Sequence, residues 1–248
     1  MIMFRCYIQS AIAVLFFFSF ADMSTADDAA TPPNFVIFYV DDLGWADLGY
    51  QGSDFHQTPN IDALAASGTV FTDAYANAPN CAPSRACLLS GQYSPRHGIF
   101  TVGDPRRGNE RFRKLEPVEN ETVLDDRFVT WAEVLNQNGY TLASMGKWHL
   151  GNDPTSQGFD INVAGREWGS PSGGGYHSPF KYPNLKQPDE GEYLTDRLTD
   201  EAVKFIEGNR DKPFFLYLTH YAVHTPIQAK ARVAAKYKSL PPGEHQKN

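Results

Sequence analysis

From Pro32 onward, apolar runs and polar breaks alternate along the chain. Asn34-Phe35-Val36-Ile37-Phe38-Tyr39-Val40 is nearly continuous and rich in β-branched and aromatic residues, the pattern of a strand buried on both faces. It stops at Asp41-Asp42-Leu43-Gly44, a polar loop at the strand's carboxyl end. Thr58-Pro59 supplies an N-cap and a proline at the first helical position, and Gly68 supplies the stop. Ile61, Leu64 and Ala65 share one face of that helix. Residues 69–74 are expected to be extended, and Pro83 to open a short helix running to Ser90-Gly91. Trp131, Val134 and Leu135 recur at helical spacing until Gly139, and residues 140–145 read as a strand. Thr195 is expected to cap a helix with an apolar stripe of Leu198, Ala202, Phe205 and Ile206. Asp211-Lys212-Pro213 then turns the chain into a further buried strand over residues 214–218.

Strands and helices alternating at these lengths predict an α/β fold, a mainly parallel sheet flanked by helices. Such sheets gather ligands at the carboxyl ends of their strands. Three polar groups fall there: Asp41-Asp42, Lys147-Trp148-His149, and His220 with His224. Residues 104–126 are charged and aperiodic, and residues 165–188 are rich in Gly, Pro and Ser around Gly173-Gly174-Gly175. Both read as surface excursions; His177 and Lys181 of the second are expected in a solvated loop, with a pocket-lining role as the alternative.

Composition narrows the class. With 248 residues and 42% hydrophobic content the chain can bury one sizeable core. The net charge is −7 and no basic block exists, so no cationic stripe for nucleic acid is visible. At the start, Arg5 precedes the apolar run Ala11-Ile12-Ala13-Val14-Leu15-Phe16-Phe17-Phe18, and Ser24-Thr25-Ala26 provides small residues for cleavage. The run is short of the roughly 20 residues that span a bilayer. Residues 1–26 are therefore expected to be a signal peptide, leaving a secreted or periplasmic protein without a membrane anchor. Cys6 departs with that signal, and Cys81 and Cys87 remain, too few for a disulfide scaffold. A Cys81–Cys87 loop and two buried thiols are the plain readings of the pair.

Cys81-Ala82-Pro83-Ser84-Arg85, followed by Leu88-Leu89-Ser90-Gly91, carries the most chemistry. A thiol just before a helix start faces free N–H donors and a partial positive charge, which favour an anion. Arg85 adds a fork suited to sulfate or phosphate oxygens. Asp41-Asp42 is by itself either an exposed acidic turn or a pair of hard oxygen ligands for a cation.

The Cys-x-Pro-Ser-Arg…Leu-Leu-Ser-Gly pattern resembles the modification signature of the formylglycine-dependent sulfatases, within the alkaline-phosphatase-like superfamily. Ser90 stands where that signature usually has Thr. The likeness extends to Gly146-Lys147-Trp148-His149-Leu150-Gly151 and to Tyr221-Ala222-Val223-His224-Thr225-Pro226, and covers essentially all of residues 34–245. It implies that a formylglycine-generating enzyme converts Cys81 to formylglycine, whose hydrated aldehyde is the nucleophile. It implies a divalent metal, Ca²⁺ before Mg²⁺, held by Asp41, Asp42 and residue 81. Arg85 and Lys147 would neutralise sulfate oxygens, and His149 would hydrogen-bond the nucleophile's second hydroxyl. His224, preferred over His220, would touch the sulfate or protonate the leaving alkoxide. The implied substrate is a sulfated small molecule or carbohydrate.

Family members are generally about twice this long, and their later half brings an Asp-Asn pair, a further Lys and a smaller domain. Residues 27–248 are therefore expected to be the N-terminal part of a sulfatase catalytic domain, truncated before the later strands, with an exposed sheet edge and little turnover alone. A non-catalytic sulfatase-like protein and a phosphodiester or phosphonate hydrolase of the same superfamily are the alternatives.

Overall fold

The computed structural model describes residues 32–186 and 188–243, so the expected signal peptide lies outside the described residues. Four strands, β1 (Phe35–Val40), β2 (Thr141–Gly146), β3 (Ile161–Val163) and β4 (Phe214–His220), form one sheet in the order β1-β4-β2-β3. All pairings are parallel, with Phe35 opposite Phe215 and Thr141 opposite Phe214. The helices are α1 (Pro59–Ser67), α2 (Cys81–Ser90), α3 (Ser94–His97), α4 (Trp131–Gln137), α5 (Leu194–Gly208) and α6 (Ala231–Lys238). The α/β sheet predicted from the alternation is present. No helix among the described residues is long and apolar enough to cross a membrane.

β4 shows why an unbroken apolar run becomes a central strand. All seven of its residues are buried. Phe214, Leu216 and Leu218 point to one face, where α5 lays Leu198, Ala202 and Phe205 on them. Phe215 and Tyr217 point to the other, against Ala86 and Leu89 of α2, Ala132 of α4 and Trp148. The sheet thus separates two hydrophobic clusters. α4 is started by a reciprocal capping box between Thr130 and Glu133.

Several expectations need correction. β1 reads like β4 but is not buried on both faces: Val36 is 50% and Phe38 57% exposed. Among the described residues β1 is an edge strand, paired with β4 alone, and its Ile37 and Tyr39 meet the α2-side cluster while the other face stays open. Phe38 and Val40 on that face border an apolar groove of about 690 Å³ with Phe55, Ile227, Val233 and Tyr237. Residues 69–74 form no strand. α2 begins at Cys81, with Asn80 as N-cap, so Pro83 lies within its first turn. α5 is capped by Tyr193 and not by Thr195. The 165–188 stretch is only in part a solvated loop, because Tyr176, Phe180 and Tyr182 are buried in the α5-side cluster. Apolar side chains spaced between glycines anchor it.

Candidate active site

The polar groups that follow β1, β2 and β4 converge as the parallel topology requires. Their loops are stitched together: Asp41 N–H donates to Ala222 O at 2.9 Å, Val223 N–H to Asp41 O at 2.7 Å, and Lys147 N–H to Thr219 O at 2.7 Å. Gly146 permits the last contact. Its φ is 107°, and a Cβ there would lie 1.9 Å from Thr219 O.

Beneath the site sits a buried charge cluster. Asp41 Oδ2 accepts from Lys147 Nζ, and Asp41 Oδ1 lies 3.5 Å from Arg85 Nη2. Lys147 and Arg85 are both wholly inaccessible. Arg85 also donates from Nη1 to Lys147 O at 2.6 Å and lies over the Tyr39 ring, 4.9 Å from its centroid. The same carbonyl accepts from Thr219 Oγ1 at 2.7 Å. Two cations against one carboxylate leave this cluster net positive, a setting that attracts an anion. Arg85 Nε and Nη2 are buried without hydrogen-bond partners, which leaves donor capacity on the guanidinium.

Above it, Cys81, Asp42, His149 and His224 line one cavity of about 480 Å³ with Asn80, Gly169 and Ser170. Cys81 is a free, half-buried thiol at the first position of α2, and Cys87 is free too, so no Cys81–Cys87 disulfide forms. Cys87 Sγ lies 3.4 Å from His97 Nε2 instead. Residue 81 therefore meets the unpaired N–H groups of a ten-residue helix, where negative charge is favoured.

His149 adopts a left-handed backbone, φ 64°. Burial, then the nearby Lys147 and Arg85 charges, lower its pKa to about 4 and keep the ring neutral at neutral pH. His224 has its Nδ1 at 2.7 Å from Thr225 O, a contact that fits an Nδ1–H donor and directs Nε2 toward Asp42 Oδ2 at 3.8 Å. The hydroxyl of Tyr176 donates to His224 O at 2.8 Å and holds that loop.

One candidate cation cluster exists among the described residues: single ligand atoms of Asp41, Asp42 and His224 all lie within 4.8 Å of one another. Two carboxylates fit a hard divalent ion, and the imidazole adds a nitrogen donor. The set expected from the resemblance was Asp41, Asp42 and residue 81. The structure groups His224 with the acidic pair and leaves Cys81 on the cavity wall. His220 is elsewhere: it packs on Phe38 at 4.9 Å, in the apolar groove. Asn80, Gly169, Ser170, Thr219 and Tyr176 were not singled out from the sequence, since none carries a chemistry that spacing alone reveals.

Comparison with known proteins assigns the family of the chain that carries this arrangement. Residues 33–248 match the sulfatase family model, and the chain belongs to that family, in the alkaline-phosphatase-like superfamily. It is 35% identical over 231 residues to N-acetylgalactosamine-6-sulfatase of Mus musculus, covering 82% of this chain and 42% of that protein. It is 33% identical over 275 residues to a sulfatase of Formosa agariphila, covering 88% and 49%. Among solved structures, Ps i-CgsB superposes with a TM-score of 0.65 at 35% identity, over 85% of this chain and 49% of that one. BT4656 in complex with its substrate D-glucosamine-2-N,6-O-disulfate gives 0.65 at 29% identity, over 85% and 38%. The chain thus spans less than half the length of these relatives.

Proposed function

We propose that this protein acts in the hydrolysis of sulfate esters, with residue 81, as formylglycine, supplying the nucleophile and sulfated carbohydrate as substrate. The observation that carries this reading is the position of Cys81. It opens α2 in a cavity walled by Asp42, His149 and His224, directly over the buried cluster of Arg85, Lys147 and Asp41. Relatives that act on sulfated sugars, including a glucosamine disulfate, support the substrate class.

The chain's own residues divide the work. The first N–H groups of α2 receive the sulfate oxygens. Arg85 and Lys147, inaccessible here and not on the cavity wall, act on the charge that builds around sulfur through their field and not by the direct contact the resemblance implied. His149, neutral at neutral pH, accepts a proton from the hydroxyl side of residue 81. His224 faces the leaving group, its ring aimed by Thr225 O, and in its protonated form donates the Nε2 proton to the departing alkoxide. A divalent ion, Ca²⁺ or else Mg²⁺, would be held by Asp41 and Asp42 and would supply Lewis-acid polarisation of the ester. Export through cleavage of residues 1–26 completes the proposal, and N-terminal sequencing of the mature protein checks it.

Peptide mass spectrometry on the Cys81 peptide after co-expression with a formylglycine-generating enzyme is the test. The expected result is the mass loss that accompanies replacement of the thiol-bearing carbon by an aldehyde. An unmodified Cys81 throughout would sink the reading. Parallel assays on aryl sulfate and phosphodiester substrates separate sulfatase from phosphodiesterase chemistry.

A further inference from the structure

His149 is held in place by shape. Its left-handed backbone, φ 64°, persists in a non-glycine residue only where the surroundings specify it. Its N–H donates to Arg166 O at 2.9 Å, which anchors the backbone. The ring has no such anchor at Nδ1, which is buried without a hydrogen-bond partner. What faces the ring is Gly169. A Cβ at that position would stand 2.4 Å from His149 Cε1, 2.6 Å from Nε2 and 3.0 Å from Nδ1. The backbone of Gly169 does not lie in the left-handed region, so its conformation alone does not demand glycine. The space taken by the imidazole does.

The loop that carries Gly169 is braced where it leaves β3. Asn162 Oδ1 accepts from Gly165 N–H at 2.9 Å, while Asn162 Nδ2 donates to Gly165 O at 3.0 Å and to Asp153 Oδ1 at 3.2 Å. Ala164 N–H donates to Pro183 O at 2.7 Å, and the Tyr221 hydroxyl to Ala164 O at 3.0 Å. A braced loop does not yield easily to an added methyl group, so the ring must move instead.

We propose that Gly169 is a positioning residue, whose missing side chain lets the loop after β3 press the His149 imidazole into its orientation on the Cys81 cavity. The catalytic consequence rests on the reading given under Proposed function; the structural one does not. Three variants test it in the full chain: Gly169→Ala, His149→Ala and the double variant. Gly169→Ala is expected to lower the thermal midpoint when His149 is present and to lower it no further in the His149→Ala background. Carbethoxylation of His149 by diethyl pyrocarbonate, followed by peptide mass spectrometry, is expected to change several-fold in Gly169→Ala. On an aryl sulfate, with Cys81 converted, kcat is expected to fall about 100-fold and KM to stay within about threefold, the signature of a misplaced group and not of lost binding. Equal destabilisation in both backgrounds, or unchanged His149 reactivity and kcat, would overturn the proposal. If Gly169→Ala does not fold, rescue by His149→Ala supports it and absence of rescue overturns it. Should no variant hydrolyse sulfate, the thermal cycle and the carbethoxylation still decide the role of Gly169, and the Cys81 peptide decides the proposed function.

Discussion

Two spaces open at the carboxyl ends of β1 and β4, and they differ in kind. One is the polar cavity of Cys81, Asp42, His149 and His224; the other is the apolar groove bordered by Phe38, Val40 and His220. Each contains a histidine whose pKa is lowered to about 4. For His149 the causes are burial and the charges of Lys147 and Arg85, whereas for His220 burial acts alone. His220 touches Phe38, and neither of its ring nitrogens has a partner. A perturbed pKa therefore does not mark a site here. What distinguishes the cavity is a free thiol at a helix start beside buried cations, together with a histidine faced by a shaped loop.

The largest expected effect separates the two spaces by activity. Cys81→Ala should abolish sulfate-ester hydrolysis and leave the melting temperature close to that of the parent, while His220→Phe should retain activity; turnover and thermal melts on both variants check this. Next comes the charge cluster. Asp41→Ala strands the ammonium of Lys147 and the guanidinium of Arg85 in an inaccessible setting and should cost about 3–5 kcal/mol, read from urea denaturation.

The pH dependence follows from the two depressed histidines. Each binds a proton in the unfolded chain near pH 6.5 and resists it in the fold until about pH 4. The stability they contribute is present above about pH 6.5 and is lost as pH falls through that window, at about 1.4 kcal/mol per unit for each histidine. Urea midpoints between neutral pH and pH 4 measure it, and His220→Phe should remove its share of the slope. At neutral pH the same substitution should stabilise by about 1–2 kcal/mol, since it replaces a buried ring whose polar atoms are unpaired. Smallest of all, Ile227→Ser at the rim of the groove, where Ile227 is 77% exposed, should shift stability by less than about 0.5 kcal/mol in thermal denaturation.

Much of this contrast was legible in the residues, though not all. The strands β1, β2 and β4 follow from apolar runs bounded by polar turns, and the carboxyl-end rule brought Asp41, Lys147, His149 and His224 toward one place. β3 has three residues and α3 has four, too few for a periodic signal. α6 escaped because its apolar stripe, Val233, Ala234 and Tyr237 toward the groove, spans only two turns of an Ala- and Lys-rich stretch, too short a periodic signal. The open face of β1 could not be read from its composition, which matches that of β4; exposure depends on neighbours in the sheet, and those are set by topology. Gly169 escaped for another reason. Its role is an empty volume beside a ring brought in from a distant loop, and no local pattern encodes it.

The strand order also sets a timetable. Among the described residues β1 pairs with β4 alone, and the side chain of Asn34 just before β1 meets the Phe214 N–H across 180 residues. At translation rates of 5–20 residues per second, roughly ten to forty seconds pass between the synthesis of these two partners. Through that interval Phe35, Val36 and Phe38 have no strand to join, and the pairing that helps hold Asp41 beside Lys147 and Arg85 waits for β4. Asp41 is thus made well before the strand that seats it, so a chaperone that shields β1 in the interval would govern how much folded protein results.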